Sequence, residues 1–250
     1  MGLKRTAAFM VGMRALEPVV EQVAERLAVA TERSIEEIVE RRSVSIAVDA
    51  DVFRLSHPGL AGDALDRALI AERRWRSAAM GALSALPGVV PGAGTSIEVV
   101  AAIADALNVT FQQIELALAL DHLHGRDLRD KDQRILDVLL VLGLEAQVVQ
   151  HKGDRLVAED MDLSLDDLRT GGVPLEVVAR LNRTVGERVV RRVARRRARV
   201  AVGRLIPAGI GVVVAAGADY LAVRSAGRAA MSYLDWIEKV EHPRASLTAA

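Results

Sequence analysis

Residues 86–120 read LPGVVPGAGTSIEVVAAIADALNVTFQQIELALAL. Pro87 and Pro91 cannot continue a helix without removing hydrogen bonds, and Gly88, Gly92 and Gly94 permit tight backbone geometry between them. Thr95 or Ser96 then suits an N-cap, with Glu98 three residues beyond Thr95 to close a capping box. The pattern predicts a bent segment re-entering a long apolar helix from about Ser96 to His122, stopped at Gly125. At about 100° per residue, Glu98, Asp105, Asn108, Gln112 and Glu115 share one arc, and the other faces are Ala, Val, Ile, Leu and Phe. Such a helix is buried on most sides. Its polar stripe fits the solvent side of a bundle, the wall of a polar groove, or carboxylates for acid–base work; no His–acid spacing favours the last.

The same design recurs later in the chain. LIPAGIGVVVAAGADYLAVRSAGRAAMSYLDWIEKV (205–240) places Pro207, Gly209 and Gly211 ahead of a second apolar helix in which Asp219 is a lone acid among Gly and Ala. Asp219 could cap, pair with Arg224, or mark a polar pocket with Glu98 and Asp105. Neither unit reads as a membrane span. The 21 uncharged residues between Arg76 and Glu98 hold two prolines and four glycines, and only 14 separate Arg204 from Asp219.

Outward from these units, helical spacing covers Glu17–Arg42 and Asp63–Ala85. The alternating run from Ser43 lacks a strand partner, so a continued helix or loop is expected there, broken at His57–Pro58–Gly59. A further helix follows Arg126, with acids in its first turn and Gly143 as its expected stop. Residues 144–172 read as an irregular acidic insert; AQVVQHKGDRLVA within it is either a hairpin turning at Lys152–Gly153–Asp154 or a loop. The expected organisation is an N-terminal arm (1–16), one all-α domain (17–240) with both Pro/Gly-broken apolar helices packed in its core, and a frayed tail (241–250).

Composition narrows the chemistry. Hydrophobic residues make up 51% of the 250 and aromatics only 3%, so the core must be Ala, Val, Leu and Ile. There is no cysteine, which removes disulfides and thiolate ligands or nucleophiles and fits a cytoplasmic protein. His122 and His124 are two apart on a helix and make a poor metal pair. GAGTS lacks the lysine and spacing of a phosphate loop, so no metal or cofactor is expected. The basic start is broken by Arg14 and reads as no secretory signal.

Charge is uneven although the net is zero. Arg188, Arg191, Arg192, Arg195 and Arg199 share an arc of about 100° on a helix leading into the second Pro–Gly unit. That row could lie solvated, pair with the acids of 154–167, or meet anionic headgroups. Nucleic acid is disfavoured by the zero net charge and the lack of an aromatic platform.

LPGVVPGAG, the helix to Leu120, HGRDLRDKDQRILDVLLVLG (124–143) and VAVGRLIPAGIGVVVAAGADYLAVRSAGRAAMSYL (200–234) resemble the EcsC family of bacterial proteins. The likeness covers 75–143 and 181–234. It implies a helical protein associated with membranes or with transport and secretion genes, and it brings no catalytic residues.

The expected function is therefore a non-enzymatic peripheral membrane or lipid-binding protein at the inner face of the cell membrane. Pro87, Gly88, Pro91, Gly92, Gly94, Pro207, Gly209 and Gly211 would contact lipid or a hydrophobic ligand, and the arginine row the headgroups. The alternatives are a hydrolase using Glu98, Asp105 or Asp219, and a soluble adaptor binding a partner protein through its apolar helices.

Overall fold

The computed structural model describes residues 35–85, 95–126, 130–158, 161–164, 167–168, 173–188 and 210–241. The arm, the first part of the expected helix (Glu17–Ser34), Pro87–Gly94, Pro207–Gly209, Arg191–Arg199 and the tail after Glu241 lie outside these residues. The described chain is mostly helical, as its periodicity predicts. In order it forms α1 (residues 35–56), α2 (Asp63–Ala85), α3 (Thr95–Leu123), α4 (Lys131–Glu145), β1 (Gln150–Lys152), β2 (Arg155–Ala158), β3 (Met161–Ser164), α5 (residues 175–188) and α6 (Ile210–Glu241).

The two apolar helices do pack against each other. In α3 the run Leu116–Leu120 is buried at every position, so this part of the helix is covered on all sides. Gln113 Nε2 donates to the Ala222 carbonyl of α6 at 3.2 Å. Helix α2 packs extensively against α6. They run antiparallel, since Ile70 meets Gly227 and Trp75 meets Tyr220. At Gly227 an added Cβ would fall 2.8 Å from Ile70 Cγ1, so the missing side chain sets how closely the two helices cross. Fully buried Leu116, Leu118, Leu120, Leu139, Leu140 and Leu142 anchor the centre, each worth about 1.5–3 kcal/mol of transfer free energy.

Chain breaks follow local chemistry. Gly125, at φ 74°, ends α3 in a two-bond cap: its N–H donates to His122 O at 3.0 Å, and Arg126 N–H to Asp121 O at 3.1 Å. Asp130 opens α4 by accepting from the N–H groups of Asp132 and Gln133.

The expected stop of α4 at Gly143 is not where the helix ends. Gly143 is a buried interior position, and the stop is Gln147, held at φ 60°. Val148 N–H donates to Gly143 O at 2.8 Å and Gln147 N–H to Leu144 O at 3.1 Å, the same cap without a glycine. Gly143 is small for another reason. The chain folds back over it, and a Cβ there would sit 2.5 Å from Val149 Cγ2.

Residues 150–158 and 161–164, expected to be irregular, form an antiparallel meander in the order β1-β2-β3. The hairpin alternative holds for the first turn: Lys152 pairs with Arg155 across Gly153–Asp154, with Gly153 at φ 66°. Leu156 and Leu163 point into the core, and Trp236 Nε1 of α6 donates to Gly153 O at 2.9 Å.

Candidate functional site

The outward face of the α2–α6 pair changes character along its length. On α2, Trp75, Arg76, Ala79, Met80 and Leu83 fall within an arc of about 140°, and all are exposed. On α6, Val213, Gly217, Leu221, Arg224 and Arg228 fall within about 80° and are likewise exposed. Because the helices are antiparallel, the C-terminal end of α2 and the N-terminal start of α6 meet at one pole. Large apolar side chains are uncovered there: Trp75 is 64% exposed, Leu83 60% and Val213 72%. Both proline segments join the described chain at this pole, one after Ala85 and one before Ile210.

Among the described side chains the charge nearest the pole is positive, and Glu72, one turn from Arg76, is the first exposed acid on that face of α2. Between Arg73 and Ala85 there is no acid, and between Ile210 and Leu234 the sole acid is Asp219, which is buried. Arg74 holds its guanidinium carbon 5.0 Å from the Tyr220 ring centre, and Trp75 meets that ring edge-on at 5.1 Å. Among the described residues no carboxylate pairs with Arg74, Arg76, Arg224 or Arg228. By contrast, Arg41, Arg54 and Arg67 pair with Glu37, Asp51 and Asp63.

Of the three carboxylates expected to share a polar pocket, the structure describes only the Asp219 side chain, which is buried. The stripe on α3 does not simply face water. Glu115 is 14% exposed and takes Arg42 of α1 on one oxygen, with Arg73 of α2 at 4.0 Å from the other. Gly211 lies in the first turn of α6, Arg188 at the end of α5, and the rest of the arginine row and the prolines lie outside the described residues.

Sequence reading missed a second polar cluster at the opposite end of the bundle. Gly125 turns the chain so that Arg126 donates to both Asp137 oxygens, at 2.8 and 3.0 Å. Asp137 also accepts Tyr233 Oη–H at 2.6 Å and Gln133 Nε2–H at 3.0 Å. Burial pushes the Tyr233 phenol well up, and Asp137 adds to the shift. Burial opposes the charge on Arg126, but Asp137 more than offsets this and raises its ionisation range further.

Beside them Asp121 is almost fully buried, and burial, then the neighbouring Asp137, pushes its carboxyl well above the ordinary range. His124 bonds Asp66 at 2.8 Å, which raises the imidazole against the opposing effect of burial. His122 stands 3.1 Å from Asp51. These acids therefore tie α1, α2, α3, α4 and α6 together, and none lines the small pocket beside the meander.

That pocket, between the meander and α5, holds about 60 Å³ and is lined mainly by Val148, Met161, Val177 and Leu181. A bound organic molecule commonly needs about 300–1,000 Å³. Among the described residues no three metal-ligating side chains gather, and no helix is long and apolar enough to cross a membrane. No family model, curated protein or solved structure matches this chain.

Proposed function

We propose that this chain is a non-enzymatic, peripheral membrane-binding helical protein that meets lipid with the pole where α2 ends and α6 begins. The observation that carries this reading is the joint exposure of Trp75, Met80, Leu83, Val213 and Leu221 at that pole, with Arg76 and Arg224 on the same faces and the first exposed acid of α2, Glu72, one turn further from the pole than Arg76. An apolar end flanked by cations, with an aromatic ring at the boundary, matches the layering of a bilayer surface. The Pro87–Gly94 and Pro207–Gly211 segments adjoin this pole and extend its apolar surface in the proposal. The row Arg188–Arg199 supplies further headgroup contacts. The likeness to EcsC proteins points the same way, towards the inner face of a bacterial membrane.

Vesicle flotation tests the reading. The wild-type chain should float with anionic vesicles, and Leu83→Glu with Val213→Glu should sink it by at least tenfold while leaving the thermal midpoint unchanged. Wild-type protein that stays unbound at low salt ends the proposal.

A second reading, an adaptor for a partner protein, is favoured by a different surface. Val44, Val48, Val52 and Leu55 line one exposed face of α1, at 55–77% exposure. An adaptor of this kind should hold a stoichiometric partner that Val48→Glu releases, with lipid binding unchanged.

A further inference from the structure

We infer that the turn closing α3, residues 121–126, is a proton-operated latch at the bundle end away from the pole: it stays docked while Asp121 is protonated and opens once that proton leaves. The inference is independent of the membrane reading.

Two observations carry it, and the first is charge balance. The cluster holds three buried carboxyl groups, Asp66, Asp121 and Asp137, at 1–3% exposure. Asp137 has Arg126 on both oxygens, and Asp66 has His124 at 2.8 Å. Asp121 is left over, because its Oδ2 is buried and meets no hydrogen-bond donor among the described residues. An ionised carboxylate there would be a third negative charge facing two cations, out of reach of water. Among the described residues no three metal-ligating side chains gather, so the cation that fits beside Asp121 is a proton.

The second is connection. The Asp121 carbonyl accepts the Arg126 N–H at 3.1 Å, so the buried carboxyl and the cap belong to one turn. That turn reaches four other helices. Arg126 grips Asp137 of α4, which also takes Tyr233 of α6; His124 bonds Asp66 of α2, and His122 stands 3.1 Å from Asp51 of α1. Of the charged groups facing Asp121, burial and Asp137 favour its proton, while Arg126 and His124 oppose it less strongly. Tyr233 stays neutral beside them, and Glu238 acts with Asp66 to keep His124 charged. Leu116–Leu120 are buried without exception, whereas His124 and Gly125 are exposed, so the turn can open without unpacking the core.

Opening returns Asp121 to water and to its ordinary value of 3.8, so one proton is released at any pH between that value and the docked one. Over that range the opening constant rises about tenfold per pH unit. His124 releases a second proton above 6.5, because Asp66 holds it charged in the docked turn. Acid closes the latch and alkali opens it.

Hydrogen exchange on the full chain between about pH 5 and pH 9 tests this, with times scaled for intrinsic exchange chemistry. The reporters are the amides of His124, Gly125 and Arg126, whose acceptors are Leu120, His122 and Asp121, and the amides of Leu116–Leu120 are the reference. In wild type, opening at the reporters should rise about tenfold per pH unit before levelling, and the reference should not share the rise. Asp121→Asn should flatten the rise below about pH 6.5, and His124→Gln should remove only the component above it. A circular-dichroism melt shows that each variant folds; if Asp121→Asn does not, the wild-type slope together with His124→Gln decides. Reporter opening that ignores pH overturns the latch. So does a slope that survives Asp121→Asn, which assigns the proton elsewhere, or a reference that opens in step, which means global unfolding.

Discussion

Because burial keeps the proton on the Asp121 carboxyl to higher pH than in the unfolded chain, its contribution has a definite sign. A raised folded value gives stability that is complete below the ordinary carboxyl range and is lost as pH rises towards the folded value. Asp121→Asn, which cannot ionise, should therefore be more stable than wild type at pH 8, with the difference shrinking towards pH 4 in paired urea melts. His124 carries the same sign in a different window. Asp66 raises it from 6.5, so its stabilising contribution is complete below about pH 6.5 and falls as pH rises through the folded value. Tyr233→Phe removes a 2.6 Å donor from buried Asp137 and should cost about 1–3 kcal/mol by denaturant titration.

At this scale the sequence was partly legible. Gly125 announces itself as a helix stop, because a glycine after polar helix-end residues has few other uses. Asp137 does not, since its partners Arg126 and Tyr233 lie 11 and 96 residues away and only the fold brings them together. Gly143 misled for a related reason. A glycine that ends a helix and one that admits a neighbouring chain look identical in sequence, and Val149 decides which this is.

Helices were the most legible elements. The 3.6-residue period placed α2 and nearly all of α3, and the absence of a strand partner for the run after Ser43 fits the helix seen there. The meander was left open because its strands are three or four residues long, too short for alternation to separate from a loop. Its stability comes instead from tertiary contacts: Leu156 and Leu163 in the core, and Trp236 against Gly153.

The α2–α6 crossing yields a paired prediction. Gly217 has open space around it, so Gly217→Ala should stabilise α6 by about 0.5–1 kcal/mol through helix propensity. At Gly227 the same gain is opposed by overpacking against branched, buried Ile70, typically about 1–3 kcal/mol. Thermal melts should place Gly227→Ala below Gly217→Ala. The reverse order would mean that Ile70 can move aside and that the crossing is not set by the missing side chain.

For the whole molecule, the sequence located the apolar helices and an arginine row, but not the pole. Exposure of Trp75, Leu83 and Val213 depends on which faces α2 and α6 spend on each other, and that follows only from their antiparallel pairing. Arg224 escaped notice because it is isolated in sequence, and only the fold sets it on one surface with Arg76, the last of the run Arg73, Arg74 and Arg76. The two tryptophans offer a direct readout. Trp236 is 8% exposed and Trp75 is open at the proposed boundary, so Trp236→Phe leaves a single reporter at the pole. On adding vesicles rich in phosphatidylglycerol, Trp75 emission should move to shorter wavelength and be quenched by lipids brominated high on their acyl chains. Emission that stays unmoved and unquenched at saturating lipid would contradict a membrane-facing pole.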